Sequence, residues 1–189
     1  MDWNEYVKLA ERTANRSSQD STARRLLMCA LGLVGEAGEV ADACKKTLFH
    51  DHAFDRDHFL QELGDLLWYV AIAASTVGAD LSVSWQEGEP TDAALFEDSS
   101  LLDHAITLAS LVSVSAEMLY DMGRHCEHGS SENFEMIVAV NLAPVLRSIC
   151  LMANNLGTNI KDVAERNINK LRKRYPNGFD SEHSIHRAV

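Results

Sequence analysis

Glu36 and Glu39 stand three residues apart in the run LLMCALGLVGEAGEVADACKK, and Glu62 and Asp65 repeat that spacing in FLQELGDLLWYVAIAA. Positions three apart on a helix lie on nearly the same side, so each run offers a pair of carboxylates on one face. If the two helices pack antiparallel, the pairs face each other across a bundle. Four uncompensated carboxylates there would repel one another, and desolvation would raise their pKa values. A hard divalent cation resolves the conflict, and an all-oxygen ligand set suits Mg²⁺ or Mn²⁺. Glu36, Glu39, Glu62 and Asp65 are therefore the candidate metal ligands and catalytic acids. Either pair alone also reads as the solvated face of a helix; two pairs embedded in strongly apolar segments favour the metal. Asp42 is a possible fifth ligand, although a structural or solvent-facing role suits it better. Gly35 and Gly38 cost a helix roughly 1 kcal/mol each, and are expected to let helices approach and to leave room for a ligand.

Phosphate is the natural partner of such a centre. Lys45 and Lys46 lie near the end of the first acid-bearing run, and Lys170, Arg172, Lys173 and Arg174 cluster later in the chain. Such cations neutralise phosphoryl oxygens and developing charge. The cluster LRKRY also fits a helix end, where it would complement the dipole. Neither GxxxxGK[ST] nor GxGxxG occurs, so neither a P-loop nor a dinucleotide fold is indicated. The histidines read as scattered surface residues: His50, His52 and His58 surround an expected loop, and no zinc constellation forms.

Helices must hold these residues, since strand-like alternation is hard to find. Apolar periodicity predicts helices over 2–14, 22–48, 56–77, 99–127, 132–156 and 159–174. A connector runs from about 78 to 98, HCEHGSSEN separates two later helices, and RYPNGF supplies the final stop. The fold class is all-alpha, a helical bundle in a single domain over 1–189. Its length of 189 residues suits one compact core.

The second half repeats the first. One ungapped shift places VGADLSV over LGTNIKD with Gly78 above Gly157, and pairs Ala37 with Ala116, Val40 with Leu119 and Leu67 with Leu146. This suggests a duplicated helical hairpin, although two amphipathic helices also match by chance. The same shift pairs Glu36 with Ser115, Glu39 with Met118, Glu62 with Asn141 and Asp65 with Pro144. All four acids disappear, so 22–81 is the acid-bearing catalytic hairpin and 99–163 a degenerate copy that packs against it and contributes a pocket wall. One active site per chain is expected.

The composition is 46% hydrophobic and 24% charged, with a formal net charge of −11. That balance excludes passive attraction to nucleic acid or anionic membrane. Cys29, Cys44, Cys126 and Cys150 form no CxxC pair and read as buried, reduced thiols. No basic-then-apolar leader opens the chain, and the apolar stretches read as too short or interrupted to span a membrane. Cytoplasm is the expected location.

The runs ALGLVGEAGEVADACKK, ELGDLLWYVAIAASTVGADL and ERNINKLRKRYPNGF resemble the MazG-like, all-alpha nucleotide pyrophosphohydrolases. EYVKLAERTA and SEHSIHR are similar to members that end in RYPxGF, and the resemblance covers roughly 3–81 and 159–187. It implies Mg²⁺-dependent hydrolysis of a ribo- or deoxyribonucleoside triphosphate to monophosphate and pyrophosphate, by attack of a metal-activated water at the alpha phosphorus. The family's ExxE and ExxD acids fall on Glu36, Glu39, Glu62 and Asp65, with Glu39 or Glu62 preferred as the base. Its NxxK element falls on Asn167 and Lys170, and its RY on Arg174 and Tyr175, making 159–179 a phosphate-binding helix and tail. Lys170 and Arg174 are expected on phosphate, Asn167 orienting substrate or ligand, and Lys46 as a weaker phosphate contact. Trp68 and Tyr69 read as core rather than as base-stacking residues. Small relatives assemble as dimers or tetramers; a homodimer is expected here, or a monomer if the duplication replaces the partner. The alternative is a nucleotide-binding regulatory protein that keeps the fold with little turnover.

Overall fold

The computed structural model describes residues 1–15, 21–85, 98–127 and 133–180, and among them contains helices and no strand. In chain order these are α1 (Trp3–Glu11), α2 (Thr22–Phe49), α3 (Arg56–Val77), a 3-10 turn at Ser82–Ser84, α4 (Asp98–Glu127), α5 (Phe134–Asn155) and α6 (Ile160–Arg174). The helix boundaries lie within a few residues of those expected from apolar periodicity. The 3-10 turn was not expected. Residues 86–97 of the connector, the separator residues 128–132 and the SEHSIHR tail lie outside the described residues.

Short polar side chains start the helices as their chemistry dictates. Asp2, Ser21, Asp55 and Asn159 accept from the backbone N–H groups of Glu5, Arg24, His58 and Asp162 at 2.8, 3.2, 3.0 and 3.1 Å. Each removes one unsatisfied donor from a first turn. At the other end of α3, Gly78 adopts φ 77°, a left-handed conformation that favours glycine.

Helices α2 to α5 make the bundle. α2 packs on α3 and α4, α5 packs on the same two, α1 and α6 lie against α3, and the 3-10 turn lies against α5. The α3–α5 pair is antiparallel: Arg56 Nε donates to the Leu156 carbonyl at 2.8 Å, while at the opposite end a Cβ on Gly78 would stand 3.6 Å from Glu135 Oε1. The end of α4 meets the start of α2, where a Cβ on Gly123 would lie 3.0 Å from Leu27 Cγ. Leu26, Leu33, Phe59, Leu63, Leu67, Leu108, Leu142 and Leu146 are fully buried between these helices.

Two sequence expectations are corrected here. Residues Leu101–Cys126 of α4 and all of α5 are long and apolar enough, by length and composition, to cross a membrane. Their apolar residues include Leu108, Val112 and Leu119 on α4 and Leu142, Leu146 and Ile149 on α5, all at or near zero exposure in the bundle core. The second correction concerns glycine. Gly35 and Gly38 have nothing within 4 Å of an added Cβ, whereas one on Gly32 would fall 2.1 Å from the Tyr69 ring. The close α2–α3 approach therefore runs through Gly32. The four cysteines form no disulfide, Cys29, Cys44 and Cys150 are buried, and burial pushes the Cys44 thiol up to about 11.

Candidate metal centre

The antiparallel return of α3 beside α2 brings Glu36, Glu62 and Asp65 together. Each offers one carboxylate oxygen to a cluster whose atoms all lie within 4.8 Å of one another, and each side chain is half-buried. Glu36 has its pKa pushed up to about 7, first by burial, then by the charges of Asp65 and Glu62 and a hydrogen bond with Glu62. Glu62 is also raised, by burial first and Asp65 second, with His58 and Lys170 opposing. His58 Nδ1 lies 3.2 Å from Glu62 Oε1, one helical turn away, a contact that the reading of the histidines as scattered overlooks.

These shifts follow from several carboxylates crowded together in partial burial, and an oxygen-only set of this spacing fits a hard divalent ion such as Mg²⁺ or Mn²⁺. Glu36, Glu62 and Asp65 are the residues able to hold it. Glu39, one turn along α2, is exposed and lines the same cavity, while standing outside the three-oxygen cluster.

Helix α6 lays its NxxK element across α3. Lys170 pairs with both oxygens of Asp65, and Asn167 Nδ2 donates to Asp65 Oδ1 at 2.9 Å. Gly64 permits that approach, since a Cβ there would lie 3.1 Å from Asn167 Cβ. Asn167 is buried at 3% exposure, so it supports Asp65 from behind. Arg166 Nη1 pairs with Asp57 at 2.9 Å at the rim of the same helix contact.

A cavity of about 600 Å³ opens over the cluster. Its polar lining includes Glu36, Glu39, Gln61, Glu62, Asp65, Lys170 and Arg174, and its less polar wall Met28, Trp68, Tyr69, Tyr175 and Phe179. Thr13 and Asn15, just after α1, also reach it. The tail is folded back over that exit: Phe179 N–H donates to the Arg12 carbonyl at 3.3 Å, and the Tyr175 and Phe179 rings lie 5.5 Å apart. Trp68 and Tyr69 pack on the core while also facing the cavity. Trp68 Nε1 donates to Thr13 Oγ1 at 3.0 Å.

The remaining candidates are placed differently. Lys46 Nζ lies 2.7 Å from Asp42 on the exposed far end of α2 and is not among the residues lining this cavity. Lys45 also pairs with Asp42, and hydrogen bonds from the two lysines hold that carboxyl down at about 2. Asp42 is thus engaged away from the cluster. Among the described residues, none that lines the cavity comes from α4 or α5, and the wall expected there from the second hairpin is formed by α6 and the tail. Thr13 and Asn15 carried no spacing signal in the sequence, because only the tertiary fold brings the α1 exit beside the tail; Phe179 closes the RYPNGF run of the tail expected at the site.

Residues 25–88 match the family described as the MazG nucleotide pyrophosphohydrolase domain. The Gene 37 protein of Mycobacterium phage L5 is 43% identical over 60 residues, which cover 30% of this chain and 53% of the relative. The chain thus spans about half the length of the curated relative it matches. No solved structure matches the chain. The matched segment holds the three clustered acids and Glu39; Asn167, Lys170 and Arg174 lie outside it.

Proposed function

We propose that this chain, which contains a MazG nucleotide pyrophosphohydrolase domain over residues 25–88, hydrolyses a nucleoside triphosphate to the monophosphate and pyrophosphate. The observation that carries the reading is one cavity holding both signs of charge. Three carboxylate oxygens converge on its floor, and Lys170 and Arg174 line the same space. A divalent ion held by Glu36, Glu62 and Asp65 would neutralise phosphate charge and polarise phosphorus. Lys170 and Arg174 bind phosphoryl oxygens, and Lys170 exchanges its Asp65 partner for them. Glu39 lines the cavity outside the cluster, which leaves it available to take the proton from the attacking water. Trp68, Tyr69 and Phe179 provide the apolar wall against which a nucleoside packs.

The test is product analysis on a panel of ribo- and deoxyribonucleoside triphosphates with Mg²⁺. Monophosphate plus pyrophosphate, abolished by chelator and by Asp65→Asn, is expected. Nucleotide binding without turnover across the panel would replace the enzyme with a nucleotide-sensing protein. Cytoplasmic location, where such substrates and free thiols occur, belongs to the same proposal.

We further infer that α2–α3 and α4–α5 descend from one hairpin. The left-handed Gly78 and Gly157 close equivalent ends, and the bonds Ala79 N–H to Ala74 carbonyl, 2.9 Å, and Thr158 N–H to Ala153 carbonyl, 3.1 Å, repeat at matching positions. The contacts also cross over: the turn after α3 lies on α5, and α6 after α5 lies on α3. Such reciprocal contacts are what a two-fold pairing of equivalent halves produces. On this reading α6 completes the site from within the chain, and the site needs no second copy.

A further inference from the structure

Behind the acidic cluster, a line of buried polar groups begins on α1. Tyr6 is fully buried, and its phenol donates to Asn167 Oδ1 at 3.0 Å. Asn167 in turn donates from Nδ2 to Asp65 Oδ1 at 2.9 Å. An ionised carboxylate only accepts, so the amide nitrogen must face Asp65 and the amide oxygen must face Tyr6. That oxygen needs a donor, and the phenol supplies it. Burial first, and the Asp65 charge second, hold the phenol well above the usual tyrosine pKa, which keeps its proton in place. Lys170 also reaches Asp65, but from the cavity and on a flexible stem. Asn167 is fixed from the buried side, in a seat that the missing side chain of Gly64 provides.

We propose that Tyr6 is a positioning residue for the metal centre: acting through Asn167, it orients the Asp65 carboxylate so that its free lone pairs face Glu36 and Glu62. The inference rests on the function proposed above. It assigns a role to α1, 161 residues away in sequence from its partner. Hydrogen-bonding groups behind metal ligands typically change affinity by roughly 10–100-fold when removed.

Tyr6→Phe removes the hydroxyl and keeps the ring beside Trp85, 5.7 Å away. Titrated with Mn²⁺ alone, without nucleotide, the folded variant is expected to bind about tenfold more weakly than the unaltered protein. Its Asn167 side-chain amide resonances, resolved by ¹⁵N NMR, are expected to shift and exchange faster. Asn167→Ala is expected to show the same weakening, with no further loss when Tyr6→Phe is added. Unaltered Mn²⁺ affinity in a folded Tyr6→Phe protein, or losses that add in the double variant, would overturn the proposal. If Tyr6→Phe does not fold, Gly64→Ala displaces Asn167 from the other side and is read against the same two outcomes. Should the unaltered protein bind no Mn²⁺, the metal reading itself fails. The Asn167 amide signals then decide the positioning role, and their invariance in Tyr6→Phe overturns it.

Discussion

The acidic cluster is held together against its own electrostatics, and Glu36 carries most of the visible cost. Its carboxyl sits at about 7 against an ordinary 4.5. Between those values the folded protein binds more protons than the unfolded chain, so stability falls as pH rises through that window. Without divalent ions, the thermal midpoint is therefore expected to drop between about pH 5 and pH 8. Glu36→Gln should flatten that drop and raise the midpoint at pH 8, by about 2–4 °C, while abolishing turnover. Mg²⁺ added to the unaltered protein should recover the loss, because it supplies the counter-charge. A midpoint that is level across the range, measured by calorimetry in chelator, would contradict the electrostatic account. Much at this scale was legible in the sequence: Glu36, Glu62 and Asp65 stand out because acids at spacing three interrupt apolar runs. Two other contacts were accessible to the same rule and were passed over, the Asp42–Lys46 and His58–Glu62 pairs, each one helical turn apart. The Tyr6–Asn167 bond was not legible, since no spacing links α1 to α6.

Among the elements, α2 and α3 approach closely at Gly32. Gly32 faces the Tyr69 ring, and an added Cβ would overlap it at 2.1 Å. Gly32→Ala must therefore move Tyr69, and is expected to destabilise by about 1–3 kcal/mol, as overpacked cores do. Gly38 faces open space, so Gly38→Ala is expected to stabilise by about 0.5–1 kcal/mol through helix propensity alone. Urea denaturation of both variants checks the pair, and equal effects would contradict the packing described. Periodicity revealed six helices and their limits, because amphipathic faces and capping residues are local signals. It did not reveal which glycine meets a neighbour, since that depends on the rotation of α2 about its axis within the bundle. Between α1 and α2, Glu11 and the guanidinium of Arg25 form an ion pair at 2.5 Å with little exposure on either side chain. Arg25 Nε also donates to Thr76 Oγ1 at 3.0 Å. Glu11→Ala removes that ion pair and is expected to cost about 2 kcal/mol, as the loss of a charged hydrogen bond does, read in the same denaturation experiment.

For the whole molecule, the duplication proposed above would pair two hairpins of unequal chemistry. Under that proposal the positions of the clustered acids Glu36, Glu62 and Asp65 fall on Ser115, Asn141 and Pro144, and Ser115 Oγ donates to the Asn141 carbonyl at 2.9 Å, joining α4 to α5. Among the described residues, none from α4 or α5 reaches the candidate cavity. One nucleotide per chain is therefore the expected stoichiometry in calorimetric titration with a non-hydrolysable triphosphate analogue; two per chain would show that the second hairpin still binds. The sequence reading assigned the second hairpin a pocket wall that, among the described residues, α6 and the tail supply instead. That difference arises because α6 crosses back to α3, a tertiary choice that hairpin periodicity does not encode.

The proposed chemistry is attack of water at the alpha phosphorus within the acidic cavity. It is tested most directly by turnover of a preferred triphosphate in H₂¹⁸O with Mg²⁺, followed by mass spectrometry of both products. One ¹⁸O is expected in the nucleoside monophosphate and none in pyrophosphate, with Asp65→Asn giving neither product. Label in pyrophosphate, or release of diphosphate and inorganic phosphate, would place the reaction at another phosphorus and contradict it.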